Sequence, residues 1–296
     1  QRDIASLSLM SWSDDGFVAI PFQIDEINEI GLVWLQGAGF DHRGEAGRFD
    51  KSDQLLFMFV DAGLPAPAGA QPKAGKLLAE IILTRPDDKQ VAVYLVADNP
   101  QRSEHQYVSH DPVTGVTRTD YYVLTTDPDN ELNWQHLGYS GYRGRADASL
   151  IDTLKMRMSA GLLFGFPRVT LDNDNLQPSM TGFAIGPIRS VMHLETRVVF
   201  AGLPMMKLHL QAQRYVNHYE AHSYARIPKI YRRALKSPRV AVSIDGNDLL
   251  GARVRTARSN GLTAYVDGSM DRDEEKLVTR GLSSSESWIL FDSGKG

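Results

Sequence analysis

The chain has 296 residues, no cysteine, and a formal net charge of -4 from 32 basic and 36 acidic side chains. That composition excludes disulfides, thiolate metal sites and a cysteine nucleophile within the chain, and it supplies no global basic field for nucleic acid. Hydrophobic residues make up 42% and charged residues 23%, the proportions of a globular protein, and no apolar run approaches the roughly 18 residues of a transmembrane segment.

The sequence opens at Gln1 without a methionine, which is read as a processed secretory precursor, with a trimmed boundary as the alternative. Phe17 to Ile24, Leu32 to Leu35, Leu55 to Val60, Leu77 to Thr84 and Val91 to Ala97 are rich in β-branched and aromatic residues and are predicted strands. Ala62 to Gly75 repeats Pro, Ala and Gly and reads as an exposed loop. Gln101 to Asp147 is polar and irregular apart from a strand at Asp120 to Thr126. Ser149 to Met158 fits either a capped helix or an alternating strand.

Ile188 to Phe200 and Met206 to Tyr219 carry the strongest signal. In the first, Ile188, Ser190, Met192, Leu194, Thr196, Val198 and Phe200 share one parity, and Arg189, His193, Glu195 and Arg197 share the other. In the second, Met206, Leu208, Leu210, Ala212 and Val216 share a parity interrupted by Arg214. Successive strand residues face opposite ways, so each segment predicts one buried and one open polar face. For both apolar rows to meet one core, paired residue numbers must sum to an even number. Phe200 opposite Met206 meets that condition and places Arg197 opposite His209, Glu195 opposite Gln211 and His193 opposite Gln213.

Further on, Arg239 to Ser243 and Ala252 to Thr256 flank Asp245-Gly246-Asn247-Asp248, which predicts a hairpin. Pro228 to Leu235 is a short helix candidate, and Leu262 to Val266 and Ser287 to Phe291 are further strand candidates. The expected fold is all-β: a large antiparallel β-sandwich with irregular loops and one or two short helices, forming a single domain over 1–296. A subdivision near 100–147 is the alternative.

The candidate ligand-binding residues are Arg189, His193, Glu195, Arg197, Lys207, His209, Gln211, Gln213 and Tyr215. Cations offset carboxylate or sulfate charge, imidazoles move protons near neutral pH, and a tyrosine ring stacks on a sugar. The competing reading is a solvated outer sheet face. His218, Glu220 and His222 share one side of a strand, but without an HExxH motif they are a weak metal signal. The clusters Asp50/Asp53, Asp172/Asp174 and Asp267 to Glu275 suit turn chemistry better than calcium. Arg226 to Lys236 is a local basic segment, either a solvated helix face or a contact for an acidic polymer, headgroup or protein. Met156, Met158, Met180, Met192, Met205 and Met206 raise a noncovalent haem-ligand reading, but Met192 and Met206 fall on the apolar strand parity and read as core packing.

There is no Walker motif, dinucleotide fingerprint or GxSxG elbow, and no catalytic residue, metal or cofactor is assigned. The segment Gln23 to Glu26 (QIDE) is distinctive without a stated role. The leading expectation is a periplasmic or secreted protein that binds, and in one version processes, a polar or anionic carbohydrate-like ligand on the central sheet face. The alternative is a non-enzymatic accessory or scaffold subunit of an envelope or membrane-associated assembly, with a protein partner. Neither reading involves nucleic acid or a transmembrane segment.

Overall fold

A computed structural model describes residues 2–14, 16–141, 147–162, 168–171, 175–200, 203–225, 229, 233, 235–280 and 288–292. The N-terminal part contains β1 (Arg2–Asp3), β2 (Leu7–Ser13), β3 (Gly16–Ala19), β4 (Phe22–Asp25), β5 (Arg48–Phe49), β6 (Gln54–Phe57), β7 (Lys76–Thr84) and β8 (Gln90–Ala97). The middle contains β9 (Ser109–Asp111), β10 (Val116–Arg118), β11 (Tyr122–Asp127), β12 (Asn130–Tyr139), β13 (Ile151–Leu162), β14 (Arg168–Leu171), β15 (Leu176–Ile185), β16 (Arg189–Phe200), β17 (Leu203–Tyr215) and β18 (Tyr219–Ala225). The C-terminal part contains β19 (Leu235–Gly246), β20 (Arg253–Thr256), β21 (Ala264–Tyr265), helix α1 (Arg272–Arg280) and β22 (Ile289–Asp292).

The all-β class holds. The strands divide among antiparallel sheets of two to four members rather than collecting in two, with orders β3-β2-β8-β7, β12-β11-β10-β9, β15-β16-β17-β18, β14-β13-β19, β21-β20-β22, β4-β6 and β1-β5. Pro21 divides the predicted strand Phe17 to Ile24 into β3 and β4, since proline has no N–H to give a ladder. In β8 every residue after Gln90 is buried, as befits a strand with neighbours on both sides and packing on both faces. Its Val93, Leu95 and Ala97 join Leu7, Leu9 and Ile20 in a core closed by Phe22, Ile24, Leu55 and Phe57.

Several local expectations change. Gln101 to Asp147 carries the sheet β9–β12, whose strand β12 hides in a polar sequence because Glu131 is one of its buried residues. The ambiguous segment after Ser149 is β13, a strand paired with β19 along most of its length. That pairing displaces the expected hairpin: β19 runs beside β13, and β20 pairs with β21 and β22 instead. Asn247 explains the diversion, because its backbone N–H donates to the Leu150 carbonyl at 3.0 Å and its side-chain amide to the Ile151 carbonyl at 2.6 Å. The acidic run near Asp271 caps a helix rather than forming a loop. The Asp271 carboxylate accepts from the Glu274 N–H, and Glu274 accepts in return from the Asp271 N–H, a reciprocal capping box at the start of α1. The predicted helix and basic segment between Arg226 and Lys236 lie mostly outside the described residues, and Leu235 opens β19.

The sheet β15-β16-β17-β18 is central and covered on both faces. Its even-numbered row on β16 and β17 meets β9–β12, where the Tyr122 hydroxyl donates to the Tyr215 carbonyl at 2.7 Å. Its odd-numbered row meets the segment after β4: Val33, Leu35 and Ala38 pack on Val191, with Phe40 and Ala184 beside them.

A closed polar face with one open end

The parity expected for β16 and β17 is observed, but the register is two residues tighter than expected. Glu195, not Arg197, lies opposite His209; Arg197 lies opposite Lys207, His193 opposite Gln211, and Arg189 opposite Tyr215. Leu203 and Pro204 enter the ladder instead of the loop, opposite Phe200 and Val199, and an irregularity between Val198 and Val199 absorbs the offset. A bulge is where proline's missing N–H costs least.

The polar row was expected to be open, and most of it is buried. Arg189 is 2% exposed. Its Nε donates to Asp25 Oδ2 at 2.7 Å, one terminal nitrogen to Gln213 Oε1 at 2.7 Å and to the Tyr215 hydroxyl, and the other to Gln54 Oε1 at 2.8 Å. Gln23 ties the same node to the backbone: its amide nitrogen donates to the Asp25 carboxylate, and its oxygen accepts from the Arg189 N–H at 3.1 Å. Gly186 makes room for this, since a Cβ there would sit 2.0 Å from Gln23 Oε1. Gln211 substitutes for a missing strand, accepting from the Val33 N–H at 3.0 Å and donating to the Val33 carbonyl at 2.8 Å. Gln213 links the two glutamines, donating to Gln211 Oε1 at 2.8 Å. The covering residues Gln23 and Asp25 belong to the QIDE segment. Their alternation of polar side chains on a strand was the available signal for a buried polar interface.

His193 marks the boundary. It is 1% exposed, its Nδ1 lies 2.5 Å from the Thr181 hydroxyl, and its Nε2 has no partner. Its ring stacks on His209 at 5.3 Å, and Phe40 presents an edge to both imidazoles. Burial, then the proximity of His209, pushes the His193 imidazole down to about 4, and burial also lowers that of His209. Both are therefore neutral near pH 7. Beyond them the row opens. Glu195 accepts from Lys207 at 2.8 Å and has Arg197 at 3.9 Å, and the hydrogen bond from Lys207 holds its carboxyl below the usual range. Arg197, Lys207 and the Tyr224 ring are exposed.

The opposite face holds a second buried cation, the arginine that interrupts the apolar row of β17. Arg214 is 0% exposed and pairs with Glu131, and Thr126, Thr117 and His110 complete its surroundings. The Tyr219 hydroxyl also donates to Glu131, at 3.3 Å. Each face of the central sheet is thus fastened to its covering layer through one arginine–carboxylate couple.

Among the described residues no group of three or more histidine, aspartate or glutamate side chains is arranged to hold a metal ion. Glu220 pairs with His222 at 3.1 Å and lies 3.5 Å from His218. Asp50, Asp53 and Asp267 accept backbone N–H groups within their own turns, and Asp172 and Asp174 lie outside the described residues. Met192 is buried against the even-numbered face. No family model matches this chain, and no curated protein matches it either.

Proposed function

We propose that this protein is a non-enzymatic scaffold or accessory subunit of an extracytoplasmic assembly, docking a protein partner through its C-terminal sheets. The observation that carries this reading is an apolar surface on the C-terminal sheets, separate from the sheet that holds the Arg189 network. Val242 and Ile244 of β19 are 56% and 54% exposed, and Ile289, Leu290 and Phe291 of β22 are 61%, 45% and 44% exposed. With Leu150 and Leu249 they line a groove of about 840 Å³. Contiguous exposed apolar surface of this kind marks interaction sites. Self-satisfaction of Arg189, Gln211 and Gln213 removes most of the central row from ligand chemistry, which further favours assembly over catalysis. Native mass measurement and crosslinking of the protein from its source test the proposal. A stable partner is expected, and Ile244→Lys with Leu290→Lys should release it while changing stability by only about 0.5 kcal/mol. A chain that remains a partnerless monomer in both measurements would sink the assembly reading.

One observation favours a second reading. Arg197, Lys207, His209 and Tyr224 at the open end of the polar row can still receive an anionic, carbohydrate-like ligand, with Glu195 as the internal counter-ion to be displaced. Charge-assisted contacts contribute roughly 1.5–3 kcal/mol, so Arg197→Ala and Lys207→Ala should each weaken retention of a polyuronate by about ten-fold or more. Equal affinity in both variants and the parent chain would remove this site.

A further inference from the structure

A cavity of about 200 Å³ lies on the even-numbered face of the central sheet, the face away from the open polar row. Its walls are Met180 and Phe183 of β15, Met192 of β16, Pro112, and His110 and Glu131 from the covering sheet. The hydrogen bonds around His110 decide what this cavity recognises. The Nδ1 atom lies 3.0 Å from an Arg214 terminal nitrogen and 2.9 Å from the Thr117 hydroxyl. A guanidinium only donates, so Nδ1 is the acceptor and the ring proton resides on Nε2. Burial and the neighbouring Arg214 push the imidazole down to about 4, against a smaller opposing effect from Asp111, so the neutral tautomer persists at physiological pH. The hydrogen bonds of His110 among the described residues all fall on Nδ1, so Nε2–H is free to donate to a molecule in the cavity that His110 lines.

Charge and size narrow the ligand further. Glu131 and Asp129 line the cavity and oppose an anion. The buried Arg214 guanidinium behind His110 opposes a cation. The Thr126 hydroxyl in the lining is already engaged by Arg214 and Glu131, and apart from Gly115 the remaining walls are thioether, phenyl and pyrrolidine, which favour an apolar body. A cavity of about 150 Å³ is known to accept benzene, so this one accommodates a single ring carrying one small substituent.

We propose that the cavity between β15–β16 and the β9–β12 sheet binds a compact neutral molecule, an aryl or short alkyl carbonyl, whose oxygen accepts the His110 Nε2–H while its apolar body rests on Met180, Phe183 and Met192. This site shares no residue with the proposed docking surface or the open polar row, so it stands or falls separately.

The test uses the full chain with methyl-labelled methionine, the Met180 and Met192 signals being assigned through Met180→Leu and Met192→Leu. Acetophenone is the probe, ethylbenzene the match without an acceptor, and benzoate the charged match. Acetophenone should shift both methyl signals saturably, ethylbenzene should bind at least ten-fold more weakly, and benzoate should leave them unmoved. His110→Phe should reduce acetophenone to the ethylbenzene level. If that variant folds poorly, Met180→Phe provides the second arm, because it fills the cavity from a half-buried edge strand and should abolish binding of acetophenone. No shift with acetophenone at millimolar concentration overturns the proposal. Equal binding of acetophenone and ethylbenzene also overturns it, because the cavity would then lack the donor that defines its ligand.

Discussion

Arg189 and Asp25 meet across 164 residues of sequence, and both are withdrawn from water. Removing one member of such a pair leaves an uncompensated buried charge, which costs more than the pair contributes when intact. Arg189→Met should therefore destabilise the chain by about 3–5 kcal/mol. Arg189→Met combined with Asp25→Leu should cost clearly less than the sum of the single changes. Denaturant titrations of the three variants check this, and strict additivity would show that the two side chains do not act as a couple. Gly186→Ala probes the same node sterically. Its methyl group would displace the Gln23 amide from the Arg189 backbone, and a loss of roughly 1–3 kcal/mol is expected.

At the scale of single elements, the imidazoles of β9 and β16 couple stability to pH. His110 and His193 both fall to about 4 in the folded chain from an ordinary value of 6.5. The unfolded chain thus binds protons first as the pH falls. Their contribution is level above about pH 6.5, is lost progressively down to about pH 4, and is level again below that. A drop in melting temperature on the order of 5 °C is expected across this window, and His193→Phe should remove roughly half of it. A pH-independent melting temperature between those limits would contradict the buried neutral assignment. Helix α1 offers a separate test: Asp271→Ala removes one arm of its capping box and should cost about 1 kcal/mol of local stability, read by hydrogen exchange over Arg272–Arg280.

Elements also show what the sequence could convey. The alternation of β16 and β17 was legible because strand parity follows from backbone geometry alone. Their register was not, because the choice between even sums turned on whether Leu203 and Pro204 belong to the loop or to the ladder. The cover over Arg189, Gln211 and Gln213 was equally hidden, since alternating polar residues look the same facing water as facing another polar layer. QIDE was conspicuous, yet nothing local revealed that its carboxylate meets an arginine far along the chain. Strand β12 is hidden in the sequence because Glu131, a residue type ordinarily exposed, is nearly fully buried against Arg214.

At the scale of the molecule, the central sheet sits between two layers, each fastened by a charge pair. Arg214 lies opposite Ser190 in the ladder, next to Arg189 opposite Tyr215, so the two fastenings occupy adjacent rungs and point to opposite sides. Slipping either strand by one residue would bury its own guanidinium in the wrong layer. This arrangement also imposes a timetable on biosynthesis. Ribosomes release Gln23 and Asp25 long before Arg189, Gln213 and Tyr215 exist. At about 5–20 residues per second, the QIDE strand waits on the order of ten seconds for its counterpart, its carboxylate and amide still hydrated. The hairpin β16–β17 closes locally once made, and only then can the N-terminal layer dock onto it. A nascent chain halted before Arg189 should therefore leave β4 open to proteolysis, and one extended past Tyr215 should protect it.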